Sequence, residues 1–226
     1  SVVDQRLEGL LPDGTAIQLG IYASPMEVMV SLTGPDKESG PVTIDRLFEE
    51  AKTRLGDIMY GEGDDTMESV VGRLLTDRHM TLAVAESCTG GLIGHRLTQV
   101  PGSSSYVDRG IVSYSNRAKI DLLGVPSELI DRHGAVSAEV AAAMARGIRE
   151  RSGVSVGLSV TGIAGPGGAT KTKPVGLVYL GLDGGPNDAM TKECRFHGGD
   201  RSVIKQRSAQ AALDLLRRWL LKKGGG

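Results

Sequence analysis

No stretch of this 226-residue chain reaches the roughly 18 consecutive apolar residues that a membrane-spanning helix needs, so no α-helical membrane span is expected. The opening Ser1-Val2-Val3-Asp4 lacks the basic and then apolar plan of a secretory signal, and a soluble, cytoplasmic globular protein is the expectation. Cysteine is scarce. Cys88 and Cys194 form neither a disulfide framework nor a Cys-x-x-Cys metal pair, which fits a reducing compartment. His79, His95, His133 and His197 show no His-x-x-x-His spacing, so no metal site is expected, and no cofactor is called for. A phosphate-cradling P-loop is excluded because no Gly-Lys-Ser/Thr ending follows the glycines, and a dinucleotide fingerprint because Gly162, Gly165, Gly167 and Gly168 are wrongly spaced and interrupted by Pro166. The chain also lacks an initiator Met, which suggests a processed chain or a fragment.

What is present is enough apolar material, 40% of residues, to bury a core in one or two domains. Charge divides the chain. Residues 1 to 65 carry 13 acidic and 5 basic side chains, a net of −8, whereas residues 66 to 226 carry 14 acidic and 21 basic, a net of +7. The acidic, turn-rich Tyr60-Gly61-Glu62-Gly63-Asp64-Asp65 suits a connector, giving expected domains at 1–63 and 66–222. In the first, alternation predicts strands over 16–22 and 27–32 and helical spacing predicts a helix over 43–55, a small α+β unit whose thin core should pack on something else. Its acidity and its lack of a Gly-x-x-Gly loop argue against nucleic-acid binding.

The second segment opens with a predicted helix over 66–77 and then alternates. Strands are expected at 82–85, 110–114, 154–160, 176–182 and 191–197, and helices at 91–98, 137–149 and 200–222. The pattern predicts a three-layer α/β/α domain with a mixed, largely parallel sheet. The tail from Lys222 to Gly226 has no apolar anchor and should be disordered. In open sheets of this kind ligands gather at the loops after strand C-termini, and the informative loops lie there.

In the first of them, Ala85-Glu86-Ser87-Cys88-Thr89-Gly90-Gly91, Ser87 falls where a buried strand turns into a helix. Unpaired N–H groups at a helix start can hold a developing oxyanion beside that hydroxyl, although Ser and Thr there also serve as ordinary caps. Val112 to Lys119 forms a second strand-to-helix passage containing Tyr114, Asn116 and Lys119. Thr161-Gly162-Ile163-Ala164-Gly165-Pro166-Gly167-Gly168 is glycine-dense enough to let backbone approach a ligand closely. Finally, Asp200 should cap the last helix, which puts Arg201 in its first turn against the helix dipole; either an anionic ligand or a surface carboxylate would explain it.

Together with Gly110-Ile111-Val112-Ser113-Tyr114-Ser115-Asn116, Lys173-Pro174-Val175-Gly176 and Gly199-Asp200-Arg201, these segments resemble the C-terminal domain of the CinA, or competence/damage-inducible, family from about Thr66 to Leu221. Residues 1 to 65 look like the KH-like middle domain of that family, and the resemblance leads to the expectation that its amino-terminal molybdopterin-binding-like domain, the seat of a pyrophosphatase activity, is not part of this sequence. The resemblance implies hydrolysis of the carboxamide of nicotinamide mononucleotide to nicotinic acid mononucleotide and ammonia in pyridine nucleotide salvage, commonly by a homodimer. It implies Ser87 as nucleophile, Lys119 as its base, Tyr114 as the group linking or orienting them and Arg201 as a substrate-binding residue. Ala169 in place of a further Gly, followed by Lys171-Thr172-Lys173, departs from the commoner pattern.

Chemistry agrees with this assignment. A lysine acts as base only when neutral, so Lys119 must have a lowered pKa, and Tyr114 can relay a proton between Ser87 and Lys119 because its hydroxyl both donates and accepts. Backbone N–H groups near Thr89 and Gly90 are expected to supply an oxyanion hole, at about 3 kcal/mol per donor. Asn116, Thr161, Gly162, Gly165 and Arg201 complete the expected substrate contacts. Cys88 is the rival nucleophile, with a thiol expected to have its pKa lowered by the helix start, but no His stands in the same motifs. A second class of function stays open, a nucleotide-binding scaffold module with little or no deamidase activity; release of ammonia from nicotinamide mononucleotide separates the two.

Overall fold

A computed structural model of the chain describes residues 2–35 and 43–223, divided into two compact units, Ser1–Glu62 and Gly63–Gly226. In the first unit helix α1 (Val2–Leu7) precedes an antiparallel hairpin of β1 (Gln18–Ala23) and β2 (Val28–Thr33), followed by α2 (Ile44–Leu55) and a short 3-10 turn at Gly56–Ile58. The hairpin closes where Ser24 N–H donates to Glu27 O at 2.8 Å, and Thr43 caps α2 by accepting from Arg46 N–H. Leu7, Leu10, Ile17, Leu47, Ala51 and Leu55 form the small core. Both expected strands and the expected helix are present, and α1 is an element that sequence periodicity did not reveal, being only six residues long.

The second unit starts with α3 (Met67–Asp77), held by a reciprocal capping box between Thr66 and Ser69. Its sheet has the order β4-β3-β5-β6-β7, built from β3 (Leu82–Glu86), β4 (Val107–Val112), β5 (Val156–Gly162), β6 (Leu177–Asp183) and β7 (Ala189–Arg195). The helices are α4 (Leu92–Thr98), α5 (Asn116–Leu123), α6 (Ser127–His133), α7 (Ala138–Ser152) and α8 (Arg201–Lys223). On one face α7 packs across the sheet with α5 and α6 beside it; on the other, α3 and α4 pack against α8. Ala83 and Ala85 point towards the α7 side, where they join Leu123, Val140, Met144 and Ile148. The fold is the expected α/β arrangement around a mixed sheet.

Parallel pairing is confined to β4-β3-β5, while β6 pairs antiparallel with both β5 and β7 and is the one reversed strand of this sheet. The reason lies in the connections. A parallel step needs a long crossover, usually a helix, and helices separate β3 from β4 and β4 from β5 but not β5 from β6 or β6 from β7. The parallel trio has a functional consequence, because the C-terminal ends of β3, β4 and β5 all open at the same edge of the sheet. The tail behaves differently from expectation, since Lys222 and Lys223 continue α8, and residues 224–226 lie outside the described residues. Among the described residues no helix is long and apolar enough to cross a membrane.

Candidate active site

Ser87 is the first residue beyond the fully buried strand β3, and its N–H still donates to Val160 O of β5 at 3.0 Å, so the sheet itself holds its backbone. The chain then turns sharply. Gly90 N–H donates to Ser87 O at 3.1 Å, and Gly90 (φ +62°) and Gly91 (φ +95°) occupy consecutive left-handed positions that disfavour any side chain. The buried carboxylate of Glu86 accepts from the N–H groups of Gly91 (2.9 Å), Ile93 (3.2 Å) and Gly94 (2.8 Å). These are the free amides at the start of α4. The helix terminus expected to face an oxyanion is therefore occupied by a side chain of the protein, and the Gly90 amide is spent on closing the turn. The amides of Cys88 and Thr89 have no acceptor among the described residues. Thr89 is fully buried, with a hydroxyl that finds no partner.

Lys119 reaches this turn from the first turn of α5, a helix capped by Ser115, whose hydroxyl accepts from Ala118 N–H at 3.0 Å. Its Nζ lies 3.0 Å from Ser87 Oγ and donates to Ser113 O at 2.8 Å. Only 1% of the residue is exposed, and no carboxylate pairs with it among the described residues. Burial lowers its pKa to about 8, the direction required of a lysine base. With the amine neutral, one N–H continues to serve Ser113 O, and the lone pair is free to accept the Ser87 hydroxyl proton.

Tyr114 does not stand between the two. It is 59% exposed, and its hydroxyl accepts from Arg201 Nη2 at 2.6 Å. The expected relay is corrected on geometric grounds: Ser87 and Lys119 are already within hydrogen-bond distance, leaving no gap for a phenol to bridge. Arg201 Nη1 donates to Gly165 O at 2.7 Å, so the guanidinium ties the tyrosine to the glycine-rich loop. Asp200 caps α8 as expected, accepting from Val203 N–H at 2.9 Å, and Arg201 donates to a carbonyl and a phenol oxygen rather than to a carboxylate.

Cys88 is buried, and burial pushes its thiol up to about 12, opposite to the lowering expected from a helix start. The thiol stays protonated at neutral pH. Substitution of Cys88 by alanine is accordingly expected to leave turnover within a factor of about three, as measured by ammonia release, because a fully protonated thiol supplies no nucleophile.

A cavity of about 290 Å³ joins these groups. Ser87, Lys119, Tyr114 and Arg201 line it together with Asn116, Thr161, Gly162 and Gly165, so most of the expected substrate contacts converge there. Thr89 and Gly90 do not line it. Thr161 is committed to the framework, its hydroxyl donating to Ala135 O at 2.8 Å. Ala135 and Val136 from the α6–α7 connection also line it and were not anticipated, since two small apolar residues in a loop carry no chemical signal. Glu86 was also missed, although an acid ending an otherwise apolar strand is a usable sign of a buried anion receiving amides. Among the described residues no cluster of three His, Cys, Asp or Glu side chains suits a metal ion.

Comparison with known proteins gives one consistent result. Residues 64–220 match the family model of the CinA C-terminal domain. A protein of Moorella thermoacetica with a competence-damage inducible name is 51% identical over 222 residues, covering 97% of this chain and 53% of the relative. A CinA-like protein of Desulfotalea psychrophila is 50% identical over 210 residues, covering 91% and 50% respectively. The chain thus spans about half the length of the curated relatives it matches. Among solved structures, the competence/damage inducible protein CihA of Agrobacterium tumefaciens is 40% identical with a TM-score of 0.65, over 70% of this chain and 98% of that one. A CinA superfamily protein of Klebsiella pneumoniae is 28% identical with a TM-score of 0.66, over 70% and 99%.

Proposed function

The chain belongs to the CinA family, and on that premise we propose that it hydrolyses the carboxamide of nicotinamide mononucleotide, releasing nicotinic acid mononucleotide and ammonia in pyridine nucleotide salvage. The observation that carries this reading is the 3.0 Å contact between Ser87 Oγ and the buried Lys119 amine, which meets no carboxylate among the described residues, in a cavity also lined by Arg201. Neutral Lys119 takes the Ser87 proton as Oγ attacks the carboxamide carbon, and the ammonium then protonates the departing nitrogen, so that ammonia leaves and an acyl-serine remains. Water adds to the acyl carbon, giving its proton to Lys119, and Ser87 departs with the proton returned. The reaction calls on no cofactor or metal.

The free amide of Cys88 suits the oxyanion of the tetrahedral intermediates, since Cys88 follows the nucleophile directly, borders the cavity and has an N–H with no backbone acceptor among the described residues. Arg201 offers a charge for the substrate phosphate, with Tyr114 holding its guanidinium in place. The basic excess of residues 66 to 226 favours an anionic nucleotide in the same way.

Incubating the purified chain with nicotinamide mononucleotide and measuring ammonia together with the acid product tests the reading; tight nucleotide binding without ammonia would leave the scaffold alternative in its place. The base also makes a pH prediction. Because Lys119 works only when deprotonated and its pKa lies at about 8, kcat/KM should rise about tenfold per pH unit below that value and level off above it. A flat profile between pH 6 and 9 would remove lysine from the base role.

A further inference from the structure

The loop that closes the cavity, residues 163–176, is held at its neck by the sheet. Ile163 N–H donates to Leu177 O at 2.9 Å, and Gly176 N–H donates to Ile163 O at 2.8 Å. Beyond the neck it has two cationic attachments. One is Arg201, through Gly165 O, which belongs to the site already described. The other is Lys173. Residues 169–172 and 174–175 are exposed, yet Lys173 is half-buried, and its Nζ donates to His133 O at 2.6 Å and to Val136 O at 2.7 Å. Its backbone is set for this by a tight turn, in which Thr170 N–H donates to Lys173 O at 2.9 Å and Lys173 N–H to Thr170 Oγ1 at 3.0 Å.

The acceptors are as specific as the donor. His133 is the last residue of α6, whose terminal carbonyls lack helical partners and attract a cation. Val136 and its neighbour Ala135 line the same cavity as Gly162, Ile163, Ala164 and Gly165. Between them, Gly134 (φ +74°) leaves the space, for a Cβ there would stand 2.9 Å from Lys173 Nζ. The glycine-rich segment and the α6–α7 connection are consequently joined at two points: Thr161 to Ala135 at the sheet, and Lys173 to His133 and Val136 at the outer end of the loop.

We propose that Lys173 is a positioning residue that latches the glycine-rich loop to the α6–α7 connection and so holds in place the stretch of wall the two contribute to the cavity that receives the substrate's heteroaromatic amide. The inference rests on the amidase reading for its kinetic consequence but not for the latch itself. Ser87, directly after β3, and Lys119, on α5, lie outside the loop, so loosening the wall weakens substrate binding and leaves the bond-breaking pair in register. Binding to a loosened wall requires ordering it each time, a cost a preformed pocket avoids.

Two measurements on the full chain test this, with Lys173→Met removing the donors at similar length and Lys173→Arg retaining a cationic donor. The first is steady-state kinetics with nicotinamide mononucleotide; the second is hydrogen exchange of the backbone amides of residues 163–176. Lys173→Met should raise KM at least tenfold with kcat within threefold, and should speed exchange in that loop at least tenfold without altering exchange in β3 or α5; Lys173→Arg should recover most of both. Unchanged KM with unchanged exchange overturns the latch, and so does a fall in kcat at constant KM. If the wild-type chain releases no ammonia, the amidase reading fails, and the exchange data alone decide: faster exchange in Lys173→Met supports the latch and unchanged exchange overturns it.

Discussion

Ser87→Ala is expected to lower ammonia release from nicotinamide mononucleotide by about four orders of magnitude or more, because the variant retains the cavity and the base but has no atom with which to form the acyl intermediate. The change removes one oxygen from a residue that is 8% exposed, and the backbone contacts of the turn, Ser87 N–H to Val160 O and Gly90 N–H to Ser87 O, do not involve the side chain. The variant should therefore melt within a few degrees of the wild type and bind the nucleotide with similar affinity. Calorimetric titration alongside the activity assay separates loss of chemistry from loss of fold. Turnover above about one-hundredth of the wild-type rate would transfer the nucleophile's role to water or to another side chain.

The second large effect is expected at Lys119, where activity and stability should move separately. Lys119→Met removes the base and should lower kcat by two to four orders of magnitude. It also removes an ammonium that the fold keeps from water. In the native state burial holds the Lys119 pKa at about 8, below the ordinary 10.5 of the unfolded chain. Between those values the unfolded state carries more protons, so wild-type stability increases with pH across that window and is at its lowest below pH 8, where both states are charged. The span is on the order of 3 kcal/mol. In Lys119→Met this rise with pH should vanish, although part of the gain at neutral pH is offset because Ser113 O loses its donor. Denaturant melts of both proteins at pH 7 and pH 10 check it. An identical pH dependence in the two proteins would mean that the buried amine is not the titrating group.

Several elements of the site could be read from residues alone. The apolar run before Ser87 marks β3 because a central parallel strand is buried on both faces, and Ser87 follows it directly. Lys119 could be named only through the family resemblance, and its burial beside Ser87 is a fact of the tertiary structure. Other features were not legible because they depend on which atoms compete for a donor. A helix start suggested amides open to an anion, but the Glu86 carboxylate folds back onto three of them. The same helix start suggested a lowered thiol pKa at Cys88, and burial reverses the direction. Tyr114 was expected beside Lys119, yet its hydroxyl meets Arg201, which lies 87 residues further along the chain.

Local pattern by itself determined the strands, the principal helices, the reactive residue types and the family, because periodicity, turn chemistry and motif order are properties of neighbouring residues. Only the tertiary structure decided which donor meets which acceptor: that Ser87 and Lys119 touch without an intermediary, that Glu86 occupies the helix terminus, and that Lys173 ties the glycine-rich loop to the α6–α7 connection. Hydrogen bonds and desolvation act over a few ångströms in space between residues far apart in the chain, and sequence spacing carries no measure of that distance.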